Sequence, residues 1–192
     1  AVLYDLLYQK ALKADSDCGS IVSFNYYSGE PVAGAAEGCP LLARRPDGRL
    51  TLANFMRAQL FSAMAALRIG MDILFEKEHV RLDRLTGHGG FFKTKGVGQR
   101  MMASAMGVPV SVLETAGEGG AWGIALLASY LLYRTEGETL EDYLAGKVFG
   151  ADAGESLAPD DGLRCSFEQF MARYIPCLAA EQKAAAALYD SE

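Results

Sequence analysis

The sequence predicts an α/β domain in which parallel strands are covered by helices, and three observations carry that expectation. Between residues 81 and 133 the chain reads as strand, turn, helix, strand, turn, helix, the order that a parallel sheet flanked by helices requires. Both turns are rich in glycine, as Gly87-His88-Gly89-Gly90 and as Glu118-Gly119-Gly120, and each stands ahead of a helix. The 192 residues, 51% hydrophobic and 22% charged, suffice for one domain with a substantial core.

The elements follow in order from periodicity and turn chemistry. Val2, Leu3, Leu6, Leu7 and Ala11 recur at helical spacing, and the turn residues of 15–19 end that helix. Residues 20–26, with β-branched Ile21 and Val22, read as a strand. The glycines, prolines and charges of 27–48 describe a long loop or a short ribbon. A helix is predicted over 52–76, with Thr51 as its N-cap and Leu52, Phe55, Met56, Ala63, Met64, Leu67, Met71 and Leu74 in an i, i+3, i+4 rhythm. Asn54, Arg57, Arg68 and Asp72 form its polar side, but Phe61 and Ala65 interrupt that side, so the helix must pack on more than one partner.

A short strand over 81–86, a helix over 95–106, a strand over 108–113 and a helix over 119–133 give the alternation described above. The run 121–133, apolar but for Ser129, is expected to be a buried helix; it is too short for a membrane span, which needs roughly 20 residues. Thr139 caps a short helix over 139–148. Residues 150–161, acidic and rich in Gly and Pro, read as a linker or exposed loop, and 166–189 as an amphipathic helix broken at Pro176.

Composition narrows the function. A net charge of −6 argues against a nucleic-acid surface, and the densest basic patch, Arg44-Arg45 with Arg49, lies in a Gly- and Pro-containing loop. Cys18, Cys39, Cys165 and Cys177 are scattered without a Cys-x-x-Cys pair, and with only His79 and His88 beside them tetrahedral metal spacing is missing. Free thiols in a reducing, cytoplasmic setting are the simpler reading. No secretory leader pattern opens the sequence, yet it starts inside a helix with Ala rather than Met, as a fragment or processed piece would.

The order of several short motifs resembles the C-terminal half of the FGGY carbohydrate kinases. In that family a strand ends in Gly-Gly, a small or polar run leads to a helix carrying Gln, and an acidic residue then precedes a small-residue helix. Here these are Gly89-Gly90, Phe91 to Thr94, Gln99, and Glu118 with Ala121-Trp122-Gly123-Ile124-Ala125. Upstream, Ser28-Gly29-Glu30 resembles the family's Ser-Gly-Glu loop, with Pro31 where the family has Arg. The resemblance runs from about residue 1 to 134. It implies an RNase H-like, actin-like ATPase domain with a mixed sheet covered by helices, residues 1–150 forming the nucleotide-side lobe and 151–192 an acidic linker and C-terminal helix packed on the same domain.

The resemblance further implies an ATP-dependent sugar kinase that uses Mg²⁺ and phosphorylates a ketopentose of xylulose or ribulose type. It places Gly89, Gly90 and Phe91 beneath or beside the adenine, and Thr94 within reach of a base edge or the ribose. Phe91 and Phe92 have a second reading as simple core packing. Glu118 is expected to face the following helix's dipole or to stand near the nucleotide. Gly119, Gly120 and Gly123 are expected to allow close helix-to-sheet approach, and His88 to be a turn residue without a catalytic partner. The family's catalytic Asp, its sugar-binding lobe, its phosphate loops and its metal ligands all lie N-terminal to the matched portion, so the chain alone is expected to be catalytically silent. Its expected partners are that N-terminal lobe, ATP and a ketose, with no nucleic acid and no membrane; a homodimer is left open. A non-catalytic actin-like module that binds a nucleotide or a partner is the alternative.

Overall fold

The chain, whose residues 2–113, 119–149 and 154–189 are described by a computed structural model, begins with helix α1 (Val2–Ala11). A turn capped by the Asp17 side chain leads into β1 (Ile21–Phe24), buried along its whole length. β1 pairs antiparallel with β2 (Leu41–Arg44), Ile21 opposite Arg44 and Phe24 opposite Leu41. The stretch 27–48 is therefore a ribbon, closed by its partner strand as much as by its own sequence.

Helix α2 (Leu52–Asp72) starts at Thr51, whose hydroxyl accepts from the Asn54 amide at 3.2 Å, and passes into a π-helical turn (Ile73–Lys77). By length and composition alone Leu52–Lys77 would suit a membrane, but one side of it belongs to the protein core: Leu52, Leu67 and Leu74 of the expected apolar stripe are exposed, while Phe61, Met64, Ala65 and Met71 are buried. Phe61 meets Phe167 and Phe170 edge-on at 5.1 and 5.7 Å, and Met64 and Ala65 are buried beside them. The polar side of α2 does not face water as its sequence suggests. Asn54 is 1% exposed and Arg57 5%, because both bond the chain where α1 ends. Arg57 donates to the Ala11 and Leu12 carbonyls at 2.9 Å, and Asn54 donates to Asp15 Oδ2 at 2.9 Å.

β3 (Leu85–Gly87), α3 (Val97–Met106) and β4 (Val110–Val112) form the predicted parallel unit, Leu85 standing opposite Val110. β5 (Glu155–Leu157) adds to β4 antiparallel, so this three-stranded sheet is mixed. The acidic stretch expected to be only a linker thus contributes an edge strand. α3 ends at Gly107, whose φ of 72° is the left-handed conformation that glycine adopts without strain.

α6 (Asp161–Tyr189) continues through Pro176 rather than breaking there. Burial on both sides of the proline holds the helix in register. Tyr174 before it packs its ring, tilted, against Phe24 at 4.6 Å and meets the Tyr26 hydroxyl at 2.5 Å, while Glu181 after it accepts from the Cys39 amide at 3.0 Å. Leu163, Phe167, Phe170 and Met171 complete a core shared with α2, α3 and β1.

α4 (Gly119–Tyr133) departs most from expectation. It is apolar but not buried: Ile124 is 72% and Leu132 75% exposed. Its described contacts run to the segment that follows, α5 (Leu140–Tyr143) and a π-helical turn (Leu144–Phe149). The Ser129 and Tyr143 hydroxyls lie 2.7 Å apart, and Trp122 meets Phe149 edge-on. Thr139 caps α5 as predicted, accepting from the Asp142 amide.

Candidate functional site

The turn after β3 is shaped by glycine. Gly89 has φ of 99° and ψ of −178°, a conformation closed to residues with a Cβ. A 3-10 turn (Gly90–Phe92) follows, held by the Phe92 amide on the Gly89 carbonyl at 3.1 Å and the Lys93 amide on the Gly90 carbonyl at 3.2 Å. Gly96, with φ of 76°, then opens α3. A Cβ added at Gly89 or Gly90 would meet nothing within 4 Å, so this backbone faces open space.

The two phenyl rings leave that space free. Phe92 lies over the end of β3, where a Cβ at Gly87 would come within 2.5 Å of its ring. Phe91 meets the Phe92 ring edge-on at 5.4 Å and Tyr8 edge-on at 6.2 Å, and its carbonyl leaves room at position 98 only for glycine. Of the two readings of Phe91-Phe92, packing describes the rings, and the hollow over Gly90 persists beside them.

That hollow is a cavity of about 490 Å³ lined by Tyr4, Asp5, Tyr8, Gly90, Lys93 and Thr94, within the size range of small-molecule sites. One wall is the glycine turn and the other is α1. Thr94 is 6% exposed, and its Oγ1 donates to Asp5 Oδ1 at 2.7 Å, tying the two walls together. Burial, and after it the neighbouring Tyr4, raise the Tyr8 phenol above its usual range, so it stays a neutral hydroxyl. Gly90 and Thr94 therefore line one cavity, with Gly89 at its turn and Phe91 behind. The α1 residues were missed in the sequence. The available signal was that Tyr4, Asp5 and Tyr8 share one helix face, but nothing local says which element that face meets.

On the far side of the turn a second cavity, of about 290 Å³, is lined by Phe92, Lys93, Lys95, Gly96, Gln99, Val112, Leu113, Gly154 and Glu155. Here Gln99 is structural. Its Nε2 donates to the Val110 carbonyl at 2.8 Å and the Glu155 carbonyl at 2.6 Å, stapling α3 to β4 and β5.

The remaining candidates separate from this centre. Glu30 caps its own turn, Oε1 accepting from the Val32 amide at 3.3 Å. His88 is exposed and lines an apolar groove with Trp122, Leu126, Leu144 and Phe149. Gly120 and Gly123 meet open space instead of a close-packed sheet, because α4 leans on α5 and not on the strands. Glu118 lies outside the described residues. Among the described residues no cluster of three or more His, Cys, Asp or Glu side chains is placed to hold a metal ion.

Residues 3–132 match the family described as the FGGY family of carbohydrate kinases, C-terminal domain. Among solved structures the chain is similar to a xylulose kinase from Rhodospirillum rubrum, with 19% identity and a TM-score of 0.63 over 92% of this chain and 34% of that one. It is also similar to a gluconate kinase from Lactobacillus acidophilus, at 14% identity and a TM-score of 0.70 over 95% of this chain and 35% of that one. Glycerol kinase from Plasmodium falciparum, solved with ADP, gives 14% identity and a TM-score of 0.61 over 88% and 32%. Comparison with curated proteins found no match. The chain spans about a third of the length of these structures, and at such identities the likeness bears on fold: an actin-like α/β domain with a mixed sheet and covering helices.

Proposed function

Because the chain belongs to the FGGY family of carbohydrate kinases, as its C-terminal domain, we propose that it is the nucleotide-side lobe of an ATP-dependent kinase acting on a ketopentose of xylulose or ribulose type. The observation that carries the nucleotide reading is the open cavity over Gly90, bounded by Thr94 on one wall and α1 on the other. A bare backbone turn lets a flat ring lie against it without a Cβ in the way. Residues 1–150 make up this lobe, and 151–192 form the connection and the helix packed back upon it.

Within this reading the chain's own residues bind and orient; they do not transfer the phosphoryl group. Gly89 and Gly90 shape the floor for the base, Phe91 supports the floor from the core, and Thr94 joins the floor to α1. Bound MgATP supplies the phosphoryl group, whose transfer depends on charge neutralisation and alignment with the acceptor hydroxyl. The residues that hold the metal, activate the sugar hydroxyl and select the sugar belong to the N-terminal lobe of the whole enzyme. The exposed apolar side of α4 is the surface that such a lobe covers, and closure of the two lobes would exclude water from the reaction. The free cysteines support a cytoplasmic enzyme.

The pentulose assignment draws its support from the xylulose kinases among the similar structures. The test is phosphorylation by the complete kinase of a panel containing xylulose, ribulose, glycerol and gluconate. Turnover of xylulose or ribulose is expected. Turnover of glycerol or gluconate alone removes the pentulose assignment, and no turnover of any substrate removes the catalytic reading in favour of a non-catalytic actin-like module.

A further inference from the structure

The cavity between α1 and the glycine turn has an uneven distribution of donors and acceptors. Asp5 is the carboxylate in its lining, and Thr94 Oγ1 stands 2.7 Å from it as the donor. With that hydroxyl proton engaged, Thr94 has only lone pairs to offer a ligand, and so has Asp5. The end of the cavity where the floor meets α1 is thus an acceptor surface. Tyr4 and Tyr8, one turn apart on α1, bring rings to the same wall, a setting suited to an aromatic ligand. Lys93 stands exposed at the rim.

Purines differ at the ring position such a surface would read. Adenine presents an exocyclic amine, a donor, where hypoxanthine and guanine present a carbonyl, an acceptor. An acceptor pair facing the amine gains a charge-assisted hydrogen bond. Facing the carbonyl, it sets lone pairs against lone pairs and leaves the carboxylate without a partner from the ligand.

We propose that Asp5, positioned by Thr94, is the residue that selects the nucleobase: it accepts from the exocyclic amine of adenine and disfavours purines with a carbonyl at that position. The assignment rests on the nucleotide reading above and deepens it. It makes α1, and not only the glycine turn, a specificity element.

The test is isothermal titration calorimetry of the 192-residue chain and of its Asp5→Asn variant with ATP, ITP and GTP. The wild-type chain is expected to bind ATP roughly tenfold more tightly than ITP or GTP. Asn at position 5 still accepts from Thr94 and also offers an N–H₂ group to a carbonyl, so ATP and ITP should come within about threefold of each other. Thermal unfolding of the variant should match that of the wild type, since the side chain is exposed and nearly isosteric. An unchanged ATP-to-ITP ratio in the variant overturns the role of Asp5 while leaving the nucleotide site standing. Tighter binding of GTP than of ATP by the wild type overturns it too, since the carboxylate would then be reading the N1 and N2 donors of guanine. A wild-type chain that binds none of the three overturns the nucleotide reading itself, and this assignment with it.

Discussion

Arg57 donates from its Nε to the carbonyl of Ala11 at 2.9 Å, across 46 positions of sequence, and so fastens the last turn of α1 to α2. The same guanidinium reaches the Leu12 carbonyl at 2.9 Å and the Asp15 carbonyl at 3.3 Å. The C-terminus of a helix leaves carbonyls without intrahelical donors, and a cation there also meets the negative end of the helix dipole. One buried side chain meets both needs. Burial lowers the pKa of Arg57 below that of free arginine, but the group remains charged throughout the ordinary pH range.

Arg57→Met keeps most of the apolar stem and removes every donor. The Leu12 carbonyl then loses the guanidinium donor, the Ala11 and Asp15 carbonyls keep only the Ala14 and Cys18 amides, and a loss of about 2 kcal/mol is expected. Urea unfolding monitored by circular dichroism measures it. Because α1 carries Tyr4, Asp5 and Tyr8, nucleotide affinity should also fall under conditions where the variant is still folded. Arg57→Lys should restore little, since one ammonium cannot reach three carbonyls in the geometry of the guanidinium fork.

At Gly90 the expectation is the reverse, with function lost and fold kept. An added side chain meets no protein atom within 4 Å, so Gly90→Leu projects its isobutyl group into the cavity without displacing the core. Nucleotide binding by calorimetry should be abolished while circular dichroism stays nearly unchanged. Retained binding would remove the turn from the site.

What was legible in the sequence followed from local signals. The glycines at 87, 89 and 90 and the periodicity of α3 made the β3-α3-β4 unit readable, while the candidate residues Gly90 and Thr94 came from the family resemblance. Strands β2 and β5 were hidden because pairing is not local. Leu41–Arg44 becomes a strand opposite β1, and Glu155–Leu157 becomes one through β4 and the Gln99 amide. Asn54 and Arg57 looked solvated because a helical wheel cannot show that another helix will end against them. α4 failed in the opposite sense: an all-apolar helix demands a partner, but periodicity does not say that the partner lies within this stretch of chain.

Cys18 gives a pH dependence with a definite sign. Its thiol is fully buried, and burial pushes it up from 9.0 to about 11, with Arg57 and Arg173 offsetting part of the rise. A raised value means that the folded state holds the proton more tightly than the unfolded chain. The resulting stability is complete below about pH 9 and is lost as pH rises from about 9 to about 11. Across that window the wild type should lose about 2 kcal/mol more than Cys18→Ala in denaturant unfolding, the difference removing the contribution of tyrosines that titrate in the same range. Equal pH profiles for the two proteins would show that the thiol is not held this way. In alkylation at neutral pH, exposed Cys165 should react first and Cys18 last.

The exposed side of α4 leads to the last prediction. Ile124, Leu127, Leu131, Leu132 and Tyr133 are all at least half exposed on a single helix, and contiguous apolar surface of this kind attracts either a partner or another copy of the chain. The 192-residue chain should therefore bind a hydrophobic dye and self-associate with rising concentration. Leu131→Lys with Ile124→Glu places charges in the middle of that side without touching the Tyr143 and Phe149 contacts that hold the helix. Dye fluorescence and light scattering should both fall, with the helical signal and the melting temperature preserved. Under the proposed function, the same pair of substitutions should lower sugar phosphorylation by the complete kinase, because that reading makes the surface they charge the wall between two lobes. A dye-silent, monodisperse wild-type chain would mean that α4 folds down onto its own domain in solution, and the interlobe assignment of that helix would fall.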